Sequence, residues 1–169
     1  MHFDVKGIIA IDDAKTVRDL SSAYERYAYP DPVAAIVYAV RLTELSPTHG
    51  RTAVVNAAPR NGIEFWAAYH FGDDPSLIAQ KPALRDVFDR YLTDLSNVAA
   101  TTSSPAVMRK FLIQTVFSDG DEAEYLAGLN ATVSRKNPAL FRRCVREMKP
   151  EERRRICGTT APCSRPDAP

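Results

Sequence analysis

The chain has 169 residues, of which 45% are hydrophobic and 25% charged, and a formal net charge of +1. This composition is average for a soluble globular protein, and the length fits one domain, with or without a small appendage. No stretch of about 18 consecutive apolar residues occurs, and the first residues lack the pattern of a secretory signal. We therefore expect a cytoplasmic protein without membrane contact.

Charge is unevenly distributed along the chain. Residues 1–134 hold 12 Lys/Arg against 17 Asp/Glu, a net charge of −5, whereas residues 135–165 hold 10 against 3, a net charge of +7. Such a basic segment is typical either of a solvated helical face or of a surface for an anionic partner. Because Phe141 is its only aromatic residue, the segment offers little base stacking, and we do not expect nucleic acid as a partner.

Thiol and imidazole groups are few. The odd number of cysteines (Cys144, Cys157 and Cys163) favours a reducing compartment, although a Cys157–Cys163 disulfide near the C-terminus stays open. The three histidines are scattered, and no cysteine spacing matches a zinc site. Glycine-rich phosphate loops and nucleophile elbows are absent from the sequence, so we expect neither a metal nor a cofactor.

The first half of the chain is predicted to alternate strands and helices. Apolar residues Val5–Ile11 indicate a buried strand, after which Asp12 or Asp13 can cap a helix over residues 17–27. Asp31 followed by proline starts a second helix, which runs to Leu45. Further strands are predicted at Thr52–Ala58, at residues 63–71 after an Asn-Gly turn, at residues 76–79, and at an edge over Asn97–Thr102, with a helix beginning at Pro82 between the last two.

The periodicity becomes purely helical after Ser104. We therefore predict a layered α/β fold with a partly parallel sheet and a helical C-terminal addition. The expected domains are an α/β region at 1–104, the helical addition at 105–158 and a flexible tail at 159–169.

Ligands of open α/β sheets bind at the carboxyl ends of the strands, where this sequence places polar residues. Asp12 follows the first predicted strand, and Asn56, Arg60 and Asn61 surround the end of the second. A carboxylate, amides and a guanidinium together suit a ribose beside an anionic group. Three structural alternatives stay open: Asp12 as a helix cap, Asn56 as a buried structural amide, and an Asp12–Arg60 ion pair.

Part of the sequence resembles a known family. The residues Tyr29–Val37 and Thr52–Arg60, with the Asn-Gly-x-x-Phe segment at 61–65, are similar to the adenosyl-forming S-adenosylmethionine hydrolases and halogenases. The resemblance extends over roughly residues 5–80, and Asp12 matches the ribose-binding aspartate of the family. Known members carry Asp-Pro-Gly where this chain has Asn56–Pro59, and they have a second, β-rich domain that completes the site across a trimer interface.

The resemblance implies a small-molecule ligand of the nucleoside type, such as S-adenosylmethionine, held by Asp12, Asn56, Arg60 and Asn61 in a protein that can form a homo-oligomer. Whether the chain is a hydrolase-like enzyme or only binds the ligand stays open at this point, and no catalytic residue is assigned. The alternative is a non-enzymatic accessory protein whose basic helical C-terminal region contacts a protein or nucleic acid.

Overall fold

A computed structural model describes residues 4–27 and 31–158, and all regular structure within those ranges is helical. The predicted layered α/β fold with a partly parallel sheet is therefore wrong, and the described protein is all-α. The chain divides into two compact units, residues 1–94 (unit 1) and residues 95–169 (unit 2). The predicted tail at 159–169 lies outside the described residues, as do Cys163 and the start of the resemblance at Tyr29.

Unit 1 contains six complete α-helices and two short 3-10 turns, at Phe71–Asp73 and Pro82–Leu84. The boundary between the units falls within a seventh helix. In chain order the helices are α1 (Val5–Asp12), α2 (Val17–Tyr27), α3 (Pro32–Leu45), α4 (Pro47–Asn56), α5 (Gly62–His70), α6 (Pro75–Gln80) and α7 (Val87–Thr101).

The first predicted strand, Val5–Ile11, lies in α1. Gly7, Ile8 and Ile11 are its buried residues, so the apolar run faces the core at helical spacing. Continuous apolar runs of this length occur in buried strands and in buried helices alike, and periodicity alone does not distinguish them. The apolar character of the segment was therefore informative about burial but not about secondary structure.

The second predicted strand, Thr52–Ala58, is the second half of α4. This helix begins directly after Ser46 with proline at its first position, where the missing amide hydrogen costs nothing. The residues Ser46–Gly50 thus form the start of a helix. Once the helix has begun, alanines and Asn56 continue it, because alanine has the highest helix propensity.

The third predicted strand, residues 63–71, forms α5 and the turn that follows it. The Asn61 side chain accepts a hydrogen bond from the Glu64 amide at 3.0 Å, which caps the helix. Phe65 and Ala68 are buried at a spacing of three, whereas Ile63 is 73% exposed, so the apparent alternation did not reflect two faces of a strand. The predicted hairpin turn at Asn61 is therefore a helix N-cap.

The two remaining strand predictions are also wrong, because residues 76–79 lie in α6 and Asn97–Thr102 continues α7 to Thr101. Asp74 caps α6 by accepting hydrogen bonds from the Ser76 and Leu77 amides, and proline again follows the cap. The predicted helices at 17–27 and 32–45 are confirmed as α2 and α3.

Helices α3 and α4 form the centre of unit 1. Seven residues of α3 are buried, and only Ser46 separates the two helices. Gly50 permits their close approach, since a Cβ atom at this position would lie 2.4 Å from the Cα of Thr43. The buried Tyr91 hydroxyl of α7 donates to the carbonyl oxygen of Val54 at 3.1 Å, which links α7 to α4.

Unit 2 continues after Ser104 with α8 (Pro105–Phe117), α9 (Gly120–Lys136), α10 (Pro138–Glu147) and α11 (Pro150–Gly158), in agreement with the helical period predicted there. Helix α8 is the central element, since α9, α10 and α11 all pack against it. The core of unit 2 consists of fully buried side chains from all four helices, including Met108, Phe111, Leu112, Leu126, Phe141 and Ile156.

Candidate functional site

Unit 1 contains a groove between α2, α3 and α4 with a volume of about 660 Å³. Two tyrosines line it: Tyr24 of α2 and Tyr38 of α3. Their rings stack with centroids 4.2 Å apart and planes inclined by 27°. Aromatic faces of this kind can extend a stack onto a planar ligand.

The part of the groove lining that belongs to α4 is a polar ridge. Thr48, Thr52 and Asn56 lie on it at intervals of four residues, so they follow one another along the same face of the helix. His49 also lines the groove, and its Nδ1 atom lies 2.8 Å from the Ser46 hydroxyl oxygen. The ridge therefore offers hydroxyl, amide and imidazole groups.

Small side chains leave room between the aromatic pair and the polar ridge. Ala35 on α3, together with Ala53 and Ala57 at the end of α4, lines the groove, and Leu42 completes the apolar part. Larger residues at the alanine positions would fill this space. The volume thus follows from the same alanines that favour helix over strand in this segment.

Of the four residues predicted to bind ligand, Asn56 lies in this groove. It is exposed at the C-terminal end of α4 rather than buried within a strand, so the expectation of a buried amide was wrong. Its side chain is accessible to a ligand without any change in the packing of the helix.

Asp12 is engaged in a different place. The Lys81 Nζ atom lies 3.1 Å from Asp12 Oδ2 and 2.5 Å from Asp13 Oδ1. Both carboxylates stand at the C-terminal end of α1, where the helix dipole is negative, and Lys81 compensates this charge. Hydrogen bonds to Asp13 and Asp12 raise the pKa of Lys81, so the ammonium group stays protonated.

Arg60 and Asn61 meet at a third place, on the Glu64 carboxylate and amide. Arg60 donates to Glu64 Oε1 from Nη2 at 2.7 Å, and its own amide donates to Glu64 Oε2 at 2.8 Å. These hydrogen bonds lower the pKa of Glu64. Both predicted residues thus support the start of α5. The expected convergence of Asp12, Asn56 and Arg60 at a sheet edge is wrong, because the described residues form no sheet.

Unit 2 carries a basic surface formed by α10 and α11. Phe141, Cys144 and Val145 are buried on one side of α10, which leaves Arg142, Arg143 and Arg146 exposed on the other side. Residues 135–158 contain nine Lys/Arg and three Glu, a net charge of +6. The amphipathic pattern noted in the sequence accounts for this arrangement.

Glu147 of this surface is paired with two arginines, one from α10 and one from α8. Arg143 Nε lies 3.1 Å from Glu147 Oε1, and Arg109 of α8 pairs with the other oxygen of the same carboxylate. Both guanidinium groups hold the pKa of Glu147 below its usual value, Arg143 having the larger effect. Arg155 instead donates to the Val116 carbonyl at 2.7 Å, at the C-terminal end of α8.

Metal-binding and membrane-spanning features are absent from the described residues. Within them, His, Cys, Asp and Glu side chains form no group that could hold a metal ion. The helices of the same ranges are too short or too polar to cross a membrane. Cys144 is a free thiol buried in unit 2, and burial raises its pKa, which disfavours the reactive thiolate.

Comparison with known proteins adds no assignment. The chain matches no protein-family model, no curated protein and no solved structure. The groove in unit 1 and the basic surface in unit 2 are therefore the features from which a function can be inferred.

Proposed function

We propose that the protein binds a nucleoside-type ligand, a class that includes S-adenosylmethionine, in the groove of unit 1. The observation that carries this proposal is the stacked pair Tyr24–Tyr38 in the same groove as the polar ridge of Thr48, Thr52 and Asn56. A base can stack on the tyrosines while the ridge hydrogen-bonds to ribose hydroxyls. The sequence resemblance supports the same ligand class through Asn56.

The roles proposed for the four residues differ accordingly. Asn56 contacts the ligand, and its amide can both donate to and accept from a hydroxyl group. Asp12, Arg60 and Asn61 make contacts that hold helix ends, so we propose no direct ligand contact for them. The proposal assigns binding without a catalytic step, because the Ser46 hydroxyl that contacts His49 is not among the described residues that line the groove.

Ligand-induced stabilisation tests the proposal directly. A ligand that binds only the folded state at 100 times its Kd raises the free energy of unfolding by about 2.7 kcal/mol. We expect nucleosides or S-adenosylmethionine to raise the melting temperature of the wild-type protein. The Asn56→Ala variant should remain folded, since the side chain is exposed, but lose most of this shift.

The matched control for this experiment is Asn97→Ala, which removes an exposed helical asparagine outside the groove. This variant should keep the full ligand-induced shift. If Asn56→Ala retains the shift as well, Asn56 has no part in binding. A protein whose melting temperature responds to no ligand of this class would contradict the proposal as a whole.

A second function is favoured by the basic surface of α10 and α11. We propose that it docks an acidic protein segment, because a protein can place carboxylates opposite Arg142, Arg146 and Arg154 and avoid the interspersed Glu147 and Glu151. A nucleic-acid backbone has uniform negative charge and meets those glutamates without compensation. The single aromatic side chain of the segment is buried, which removes base stacking.

Binding assays with acidic proteins and with nucleic acid distinguish the two kinds of partner for this surface. Capture of acidic proteins should be lost in the Arg142→Glu/Arg146→Glu variant and reduced by salt. Salt-dependent binding of duplex DNA or RNA at physiological ionic strength would instead favour nucleic acid. Self-association and a cytoplasmic location stay predictions, which sedimentation and cell fractionation measure.

A further inference from the structure

We infer that the groove of unit 1 selects uncharged nucleosides over nucleotides and over S-adenosylmethionine. This inference rests on the proposed function and specifies its ligand. It follows from the charge of the lining, the geometry of the tyrosine pair and the spacing of the polar groups on α4.

Among the described residues, no Lys, Arg, Asp or Glu side chain lines the groove. A phosphate or carboxylate placed there would lose hydration without gaining an ion pair, and this loss weakens binding.

One feature near the groove could still attract an anion, namely the N-terminal end of α4. Free amide hydrogens make helix N-termini good anion sites, but α4 begins with Pro47, which has none. This end of α4 is therefore a weaker phosphate site than an ordinary helix start.

S-adenosylmethionine also carries charged groups that the groove lining does not pair. Its sulfonium can approach the faces of Tyr24 and Tyr38, which favour a cation. Its amino-acid end carries a carboxylate and an ammonium, and the lining supplies no side chain of opposite charge to either. A nucleoside keeps the favourable ring contact and leaves those charged groups out.

The tyrosine geometry defines where the base can stack. With centroids 4.2 Å apart, the two rings are already in contact, and no ring can enter between them. A base therefore has to stack on an outer face of the pair, within the groove that Ala35 and Ala53 also line. Stacking of this kind requires a planar ring and no charge.

The ridge on α4 matches the other half of a nucleoside. One turn of helix, about 6 Å, separates Thr48 from Thr52 and Thr52 from Asn56. Hydroxyl and amide groups at these intervals are neutral donors and acceptors. They suit the hydroxyl groups of a ribose better than they suit a phosphate.

Isothermal titration of the wild-type chain tests the selectivity. The probes are the four ribonucleosides, their 5′-monophosphates and S-adenosylmethionine. We expect at least one nucleoside to bind at least tenfold more tightly than its monophosphate and more tightly than S-adenosylmethionine. Equal or tighter binding of a monophosphate or of S-adenosylmethionine overturns the inference and leaves the proposed function standing, whereas no binding by any probe overturns both.

A charge added to the ridge provides an independent test. Thr52 is exposed, so Thr52→Lys places an ammonium at the edge of the groove without disturbing the core. We expect this variant to bind the monophosphate at least fivefold more tightly relative to its nucleoside than the wild type does. The control Thr101→Lys, at an exposed helical threonine outside the groove, should keep the wild-type preference. An unchanged preference in Thr52→Lys overturns the inference.

Discussion

Units 1 and 2 differ in where they place their polar side chains. Apart from the Tyr91 hydroxyl in unit 1, the buried polar and charged side chains of the described residues belong to unit 2: Ser96, Gln114, Thr115, Ser118, Glu122, Asn130 and Ser134. The rest of the unit 1 core is apolar, and Thr48, Thr52 and Asn56 of α4 stay accessible along the groove. Unit 2 thus uses polar groups to fix its own packing, whereas unit 1 keeps these three side chains at its surface.

The two units also bring their helices together by different means. In unit 1, Gly50 lets the backbones of α3 and α4 approach at Thr43. In unit 2, Asn130 of α9 donates from Nδ2 to the Thr115 hydroxyl of α8 at 2.8 Å, inside the core. A close backbone contact depends on shape, and a buried hydrogen bond depends on chemical identity, so substitutions should affect the two units differently.

The largest expected effect is that of Gly50→Ala in unit 1. The new Cβ would lie 2.4 Å from the Cα of Thr43, and because the opposing atom is backbone, the helices must separate. Overpacking of this kind should lower the free energy of unfolding by about 3 kcal/mol. Chemical denaturation of the variant and the wild type measures the difference.

The matched substitution in unit 2 is Gly128→Ala in α9. Gly128 is exposed, and a Cβ atom there meets nothing within 4 Å. Because alanine favours helix over glycine, this variant should gain up to about 1 kcal/mol. Similar stability changes in both variants would show that the approach of α3 to α4 is not the tight contact that the structure indicates.

An intermediate effect is expected from the buried pair in unit 2. Thr115→Val leaves the Asn130 amide without its acceptor and should cost about 2 kcal/mol. Asn130→Leu should be close to neutral, because the amide Oδ1 has no hydrogen-bond partner and the threonine hydroxyl can return to its own helix. The double variant should recover most of the loss.

A double-mutant cycle measured by denaturation isolates the coupling between Thr115 and Asn130. We expect a coupling free energy of about 1 kcal/mol or more. If the losses simply add, the hydrogen bond does not hold α8 and α9 together, and the contrast between the two units is weaker than their buried residues suggest.

Proline positions explain how much of this fold could be predicted from the sequence. Helices α3, α4, α6, α8, α10 and α11 all begin with proline, and most of these prolines follow Asp, Ser or Asn, the preferred N-cap residues. The same signal was used correctly at Asp31, whereas the first helix after Ser104 was predicted from its periodicity. At Ser46 and Asp74 the signal was not used, and strands were predicted in the segments that follow.

The rest of the fold depended on contacts between helices. Short apolar runs such as Val5–Ile11 fit either a strand or a helix, and tertiary packing decides between them. For the proposed site, the sequence identified Asn56 as an unusual polar residue because it was expected to lie in a buried strand. It lies instead at the exposed end of a helix. Tyr24 and Tyr38 were missed because their contact joins two helices, and no local pattern encodes it. The four-residue spacing of Thr48, Thr52 and Asn56 is the signal that could have indicated a polar ridge.

The smallest expected effect concerns one carboxylate in each unit, with opposite signs. Burial raises the pKa of Asp94 above its ordinary value of 3.8, with a smaller lowering by Arg90 and a further raising by Glu44. The folded state then binds the proton more tightly than the unfolded state, so stability falls as the pH rises through the folded pKa. In unit 2 the lowered pKa of Glu147 has the reverse consequence: its stabilisation exists above the ordinary value of 4.5 and is lost as the pH falls.

Two isosteric variants measure this contrast. Asp94→Asn removes a charge that is unfavourable at neutral pH, and because water screens the partly exposed group, the gain should be only about 0.3 kcal/mol at pH 7. That gain should disappear as the pH falls to about 3, below the ordinary pKa, where the wild-type carboxyl is mostly protonated in both states. Glu147→Gln should destabilise the protein at pH 7 and match the wild type in acid, since the ion pairs with Arg143 and Arg109 are then lost in both proteins. Denaturation curves between pH 3 and pH 8 give both differences, and a destabilised Asp94→Asn protein at pH 7 would mean that attraction to Arg90, rather than burial, controls this carboxylate.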